Sequence, residues 1–394
     1  MSQQREVAIV GVHATKQQRN SGRSALALIQ EATNAALDDA GLKMKDVDGY
    51  IAFTFEGGNG SGVNEGNIAH QFGQPIAFTA QISGAYAVQM AAGAIKQGYA
   101  DVVVIPAAGS TTLGGGKAAS YTRPEYEFTE WTGSMTPAQF AIIARRHMHE
   151  YGTTIEQMAE VASRIQHNGN INPEAVLFGR AADTPEKVLN APMIAEPFTR
   201  AMCSLVNDGA SCIVVTSAER AKDCRHDPIW VLGGAMENRA TSYFEAPTLD
   251  MMNSRDKMLR GFQRAGIRHE DTDIVMCYDH FAHGPIVQME TLGFCKPGEG
   301  GHYVPEVMGL DSKHPICPDG GNLSYSHNMI PYNFKQIEIV RQFRNDVPDL
   351  CPEGHKGIHT YDRRICRKVR DPKLAVGAGP MTEGRHGFVL LAKD

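Results

Sequence analysis

Apolar positions along the chain follow two alternating signatures. Short unbroken apolar runs, such as Val7–Val12 and Val102–Ile105, are separated by stretches in which apolar residues return every three or four positions. The first signature predicts strands covered on both faces, the second helices with one buried stripe. Ser24 predicts an N-cap for a helix through Ala25, Leu28, Ile29, Ala32 and Ala36, and Gly41 a left-handed stop. Tyr50–Phe53 reads as the next strand. The glycine-rich run Gly57–Gly62 lacks the strand–turn–helix context of a phosphate cradle and reads as a loop. Ser83 to Gln97 predicts a helix rich in Ala and Gly, narrow enough to pack in the middle of the molecule. Thr136-Pro137-Ala138-Gln139 is a capping box with proline at the first helical position, opening a helix through Phe140, Ile143, Ala144 and Met148. The polar helical pattern that continues to about Asn190, broken at Asn172-Pro173, predicts a surface insertion at about 112–200 over the first half.

A long repeat organises the whole. Ala40-Gly41-Leu42-Lys43-Met44-Lys45-Asp46-Val47-Asp48 is echoed by Ala265-Gly266-Ile267-Arg268-His269-Glu270-Asp271-Thr272-Asp273, at an offset of 271 − 46 = 225. So long a period predicts a duplicated domain, with halves of about 1–222 and 223–394. In the second half, the strand Ile274–Cys277 runs directly into Tyr278-Asp279-His280-Phe281, ahead of a helix through Ile286, Met289 and Leu292. Asp319 to His327 precedes a helix through Phe334, Ile337, Ile339 and Val340, and Ala375-Val376-Gly377-Ala378-Gly379 precedes the closing strand Phe388–Ala392. Polar residues at the carboxyl ends of strands lie where open α/β sheets bind ligands. The glycine turns predict backbone N–H groups close to an anionic oxygen.

Composition narrows the classes. A chain of 394 residues with net charge −6 has no basic footprint for nucleic acid. The polar start Met1–Glu6 predicts neither a signal nor a transit peptide, and no apolar run is long enough for a membrane span. The eight cysteines form no Cys-x-x-Cys pair, so the reading is buried, reduced thiols in a cytoplasm and no zinc ribbon in this chain.

On these residues the chain resembles the thiolase superfamily, and within it the sterol-carrier-protein type. That resemblance implies a duplicated fold of two pseudo-twofold halves in five αβαβα layers. Tyr278–Phe281 matches the thiolase Asn-Glu-Ala-Phe segment, Ser326-His327-Asn328 the Gly-His-Pro segment, and Ala375–Gly379 the Cys-x-Gly-x-Gly segment. Gln81 stands where the nucleophilic cysteine belongs, just before Ser83-Gly84, and Ala375 where the proton-transferring cysteine belongs. An amide and a methyl group perform neither role. Tyr278–Phe281, Leu292–Cys295, Tyr325–His327 and Ile143–His149 are instead similar to a branch of aldolases that cleave steroid side-chain CoA thioesters.

The resemblance implies retro-aldol cleavage of a β-hydroxyacyl-CoA. Tyr278, Tyr325 and His327 are its catalytic candidates, and Gln81, Ser83, His280, Gly320, Gly321, Gly377 and Gly379 its substrate-binding ones. No bound cofactor is implied, the CoA thioester being the substrate. The resemblance also implies a homodimeric core flanked by a small subunit with an OB fold and a zinc ribbon. A tyrosine base, ordinarily of pKa about 10, needs tuning or a hydrogen-bonded relay, for which His280 and His327 are at hand. The basic run Arg363, Arg364, Arg367, Lys368, Arg370 reads as a solvated face or partner contact, with CoA phosphates as the alternative. Two other functions compete: an acyltransferase using Cys203, Cys277 or Cys317, and a non-catalytic acyl-CoA-binding subunit.

Overall fold

In the computed structural model, which describes residues 5–56, 73, 75–110, 136–180, 182, 184–238, 252–328, 330–347, 366–379 and 385–394, ten strands form one sheet. They are β1 (Val7–Ala14), β2 (Gly49–Ile51), β3 (Phe53–Glu56), β4 (Phe78–Ala80), β5 (Val102–Ser110), β6 (Gly209–Ser217), β7 (Ile229–Asn238), β8 (Ile274–Met276), β9 (Leu374–Ala378) and β10 (Arg385–Ala392). The order is β8-β9-β10-β7-β1-β6-β5-β2-β4, with β3 also on β5. Outward from the central β1–β7 pair, each side runs antiparallel, antiparallel, then parallel. The two halves of the sheet therefore mirror each other in connectivity, joined where Ala8 faces Trp230.

The repeat read from the sequence has a structural counterpart at the same offset. Helix α1 (Ala25–Ala40) ends at Gly41 (φ +76°) and the later helix Arg255–Ala265 ends at Gly266 (φ +67°). The Ser24 hydroxyl accepts the Ala27 N–H at 3.2 Å, as its N-cap position predicts. One-turn helices follow at Met44–Asp46 and His269–Asp271. Asp48 accepts the N–H groups of Asp101 and Val102 at 2.9 Å, and Asp273 those of Lys373 and Leu374 at 2.8 and 2.9 Å. In each half one aspartate thus pins the start of a strand parallel to its own.

Helix α2 (Gly84–Lys96) is as central as its small residues predict, with Ala85, Ala87, Val88 and Ala91 fully buried. It packs with the later helix Tyr332–Arg344, and both touch strands from either side of the β1–β7 junction. α1 covers the outer face of β1, β5 and β6. The insertion corrects the sequence reading. Helices α3 (Thr136–Tyr151) and α4 (Ile155–Asn170) do not lie over the first half. They bury Met158, Val161, Ala162 and Ile165 in the core of the second half, beside α5 (Arg255–Ala265) and α6 (Gly284–Leu292). The polar-looking α4 pattern concealed an apolar stripe that a partner element, not a sheet face, covers.

A second correction concerns the cysteines. Cys366 is disulfide-bonded, whereas Cys203, Cys212, Cys224, Cys277, Cys295 and Cys317 are free. The Gly57–Gly62 loop also lies outside the described residues. Among the described residues, no helix is long and apolar enough to cross a membrane.

Candidate active site

The parallel strands β8 and β9 end side by side, Met276 opposite Gly377. Beyond β8 the chain turns out of the sheet at Tyr278, whose backbone is clamped by Gln288 of α6. The Tyr278 N–H donates to Gln288 Oε1, and Gln288 Nε2 donates to the Tyr278 carbonyl, both at 2.7 Å. The Tyr278 hydroxyl lies 3.3 Å from His327 Nε2. Its ring stacks on His280, centroids 4.5 Å apart, and lies 5.1 Å from the ring of Tyr332.

Tyr332 opens α7 (Tyr332–Arg344), and a Cβ added at Gly84 would come within 2.5 Å of the Tyr332 Cβ. Asn333 accepts the Gly84 N–H at 2.8 Å and donates to the Ile105 carbonyl at 2.8 Å. The N-terminus of α2 is thereby held beside the tyrosine–histidine pair. Ser83, its N-cap residue, makes no side-chain capping bond.

Burial pushes the His280 pKa down to about 3, against the pull of its bond to the Tyr278 carbonyl. Burial also holds His327 down to about 4; Asp279 raises it and Lys335 lowers it. At neutral pH both rings are therefore uncharged. A neutral ring with Nε2 accepting the Tyr278 hydroxyl carries its hydrogen on Nδ1. The His327 backbone N–H donates to Asn207 Oδ1 at 2.9 Å, which fixes the ring's attachment point.

The turn that delivers His327, Gly321–Tyr325, hangs from Asp279. That fully buried carboxylate accepts the N–H groups of Asn322 at 2.8 Å and Leu323 at 3.2 Å, and the Lys335 ammonium at 2.9 Å. Two glycines permit the arrangement. A Cβ at Gly321 (φ +54°) would fall 2.0 Å from Asp279 Oδ2, and one at Gly320 (φ +97°) 2.3 Å from Gly169 Cα in α4.

Several candidates sit apart from this pair. Tyr325 packs edge-on against Phe334, and its hydroxyl answers electrostatically to Glu174 and Arg341; burial raises its pKa far above the usual value. Gln81 is exposed. The glycine N–H groups expected to face an oxyanion are engaged within the protein. Gly320 donates to Cys317 O, Gly321 to Asp319 Oδ1 and Gly379 to Gly387 O, while Gly377 lies in the β9 ladder. Gly379 does approach the site, since a Cβ there would be 3.3 Å from the Ala85 Cβ. Burial pushes the Cys203 thiol up to about 12 and raises those of Cys277 and Cys317 well above the ordinary value.

Where it is described, the basic run is a solvated face only at Arg370, which is exposed. Arg367 is buried and paired with Glu338, Lys368 is buried, and Arg370 faces Asp311 at 3.5 Å. Arg363 and Arg364 lie outside the described residues. A cavity of about 470 Å³ lined by His226, Phe343, Arg344 and Lys393 lies at the far end of α7, roughly 18 Å along the helix axis from Tyr332.

Sequence reasoning passed over Lys335, Tyr332 and Asn207. Lys335 left a signal: a lysine between Phe334 and Ile337 in a helix expected to be buried must have a partner. Tyr332 and Asn207 left none, because their roles depend on contacts between distant segments.

Residues 233–356 match the family model described as thiolase C-terminal domain-like. The chain is 34% identical over 362 residues to a 17-hydroxy-3-oxo-4-pregnene-20-carboxyl-CoA lyase of Mycobacterium tuberculosis, covering 86% of this chain and 92% of that one. It is 32% identical over 354 residues to a steroid side-chain-cleaving aldolase of Thermomonospora curvata, covering 82% and 87%. Among solved structures, an Ltp2-ChsH2(DUF35) aldolase superposes with TM-score 0.83 at 28% identity, over 99% of this chain and 98% of that one.

Proposed function

The chain belongs to the thiolase superfamily, among the aldolases of its sterol-carrier-protein type, and from that premise we propose how it performs retro-aldol cleavage of a β-hydroxyacyl-CoA. The observation that carries the reading is the Tyr278 hydroxyl 3.3 Å from a neutral His327 Nε2, at the carboxyl ends of two parallel strands. A 17-hydroxy-20-carboxyl thioester, as in the name of the mycobacterial relative, is such a substrate, since its hydroxyl sits on the carbon β to the thioester carbonyl. The proposed products are propionyl-CoA, or acetyl-CoA from a shorter chain, and a ketone or aldehyde.

The β-hydroxyl proton passes to the Tyr278 oxygen while the Tyr278 proton shifts toward His327 Nε2. The Cβ–O bond becomes a carbonyl, and the electron pair of the breaking Cα–Cβ bond becomes the thioester enolate. Return of the proton to Cα completes the turnover without change of redox state. The first turn of α2, beside Gly379, whose Gly84 N–H is taken by Asn333 but whose Ser83 hydroxyl makes no cap, offers its remaining N–H groups for the enolate oxygen in place of the engaged glycines. His280 forms the wall on which Tyr278 stacks. Tyr325 takes no direct part. The chain is proposed to act as a homodimer with a small DUF35-type subunit, the kind of partner named for the solved aldolase.

The test is product analysis after co-expression with such a subunit. A branched steroid β-hydroxyacyl-CoA should yield one shortened acyl-CoA and one ketone per turnover. Substrate returned intact by the assembled protein would leave only an acyl-CoA-binding role.

A further inference from the structure

Lys335 and Asp279 are enclosed completely, 1% and 0% exposed at their side chains. A buried ion pair is costly unless its lone pairs and protons are satisfied, and here the satisfaction is directional. The Asp279 carboxylate binds two consecutive N–H groups of the turn that ends at His327, while its own backbone follows directly from Tyr278. Resting on the catalytic reading above, we propose that Lys335 and Asp279 are positioning residues, joining Tyr278 and the His327 turn into one rigid frame with the ammonium balancing the carboxylate beneath the imidazole.

The electrostatics give this arrangement a signed consequence. Asp279 and Lys335 act on His327 in opposite directions, and His280 adds a neutral ring on the other side of Tyr278. Asp319, Cys277 and Cys317 also face the Lys335 ammonium, and all three are buried. Burial opposes the charge on Lys335, yet Asp279, Cys317 and Asp319 hold its pKa above the ordinary value. Removing the ammonium alone leaves the Asp279 charge acting on His327 uncompensated. Removing the carboxylate alone leaves the ammonium.

The experiment follows His327 itself in the full chain, by NMR of 13C-labelled imidazoles assigned through loss of one signal in His327→Gln. In Lys335→Met the His327 midpoint is expected to rise by about one pH unit or more, and in Lys335→Arg to stay at the wild-type value. An unchanged midpoint in folded Lys335→Met overturns the proposal, as does an equal rise in Lys335→Arg. Should Lys335→Met fail to fold, Asp279→Asn carries the test with the opposite sign, and a midpoint that rises there overturns it. The acid limb of kcat/KM is measured alongside. If the NMR midpoint moves and the limb does not, the frame stands and the catalytic role of His327 falls.

Discussion

Replacing Tyr278 by phenylalanine removes one oxygen from the centre of the site. The ring stays stacked on His280, and its backbone stays clamped by Gln288. Folding loses the hydrogen bond to His327 at 3.3 Å, worth about 0.5–1.5 kcal/mol. In a chain of this size that lowers Tm by a few degrees at most. What catalysis loses is the group that receives the β-hydroxyl proton, and acid–base groups contribute about 10²–10⁴-fold. The expected fall in kcat therefore corresponds to about 3–5 kcal/mol of transition-state stabilisation, with KM little changed. Tyr325→Phe is the matched comparison. Its ring packs against Phe334 and its hydroxyl feels the charges of Glu174 and Arg341, so turnover should stay within about threefold of wild type, less than 1 kcal/mol. Steady-state cleavage of a β-hydroxyacyl-CoA and thermal unfolding of both variants separate the two effects. A folded Tyr278→Phe enzyme with wild-type kcat would refute the reasoning, and a Tyr325→Phe enzyme as impaired as Tyr278→Phe would restore the second tyrosine to the proton path.

The other predictions are briefer. His327 and His280 fold with pKa values depressed to about 4 and about 3. The unfolded chain therefore takes up their protons first as pH falls below about 6.5. Stability should drop by on the order of 1 kcal/mol per pH unit for each histidine, the His327 part levelling off below its folded midpoint; urea midpoints that are flat from pH 7 to 5 would contradict this. Gly321→Ala drives a methyl into Asp279 from a left-handed backbone, and should cost about 3 kcal/mol or more and most activity. Gly93→Ala, in the open interior of α2, should stabilise by about 0.5–1 kcal/mol, so thermal shifts of opposite sign check both. Iodoacetamide at pH 7 should leave cleavage intact, because burial keeps Cys203, Cys277 and Cys317 protonated; stoichiometric labelling with parallel loss of activity would argue for a cysteine mechanism.

Periodicity disclosed the elements and the repeat because both are local: Gly41 and Gly266 carry their left-handed stops in the sequence itself. The side on which the insertion packs was hidden, since the stripe Met158, Val161, Ala162, Ile165 states that α4 is covered but not by what. The tyrosine–histidine contact was legible in part. Tyr278 ends a strand and His327 follows a glycine turn, positions where α/β sheets place chemistry. Their adjacency depends on Asp279 reaching 43 residues along the chain to Asn322, and no local pattern encodes that. Tyr325 illustrates the converse. It stands two residues before His327, yet the tight turn and extended Ser326 send its side chain into the central core beside Phe334.

Dependence on free coenzyme A tests the central claim most directly. A thiolase consumes free CoA to cleave a β-ketoacyl-CoA through an acylated cysteine, whereas retro-aldol cleavage needs neither thiol. With Gln81 and Ala375 at the two cysteine positions, the protein should cleave a β-hydroxyacyl-CoA to one acyl-CoA and one carbonyl product at the same rate with free CoA present or removed, and leave the corresponding β-ketoacyl-CoA untouched. Cleavage of the β-ketoacyl-CoA that rises from zero with added CoA would contradict the account.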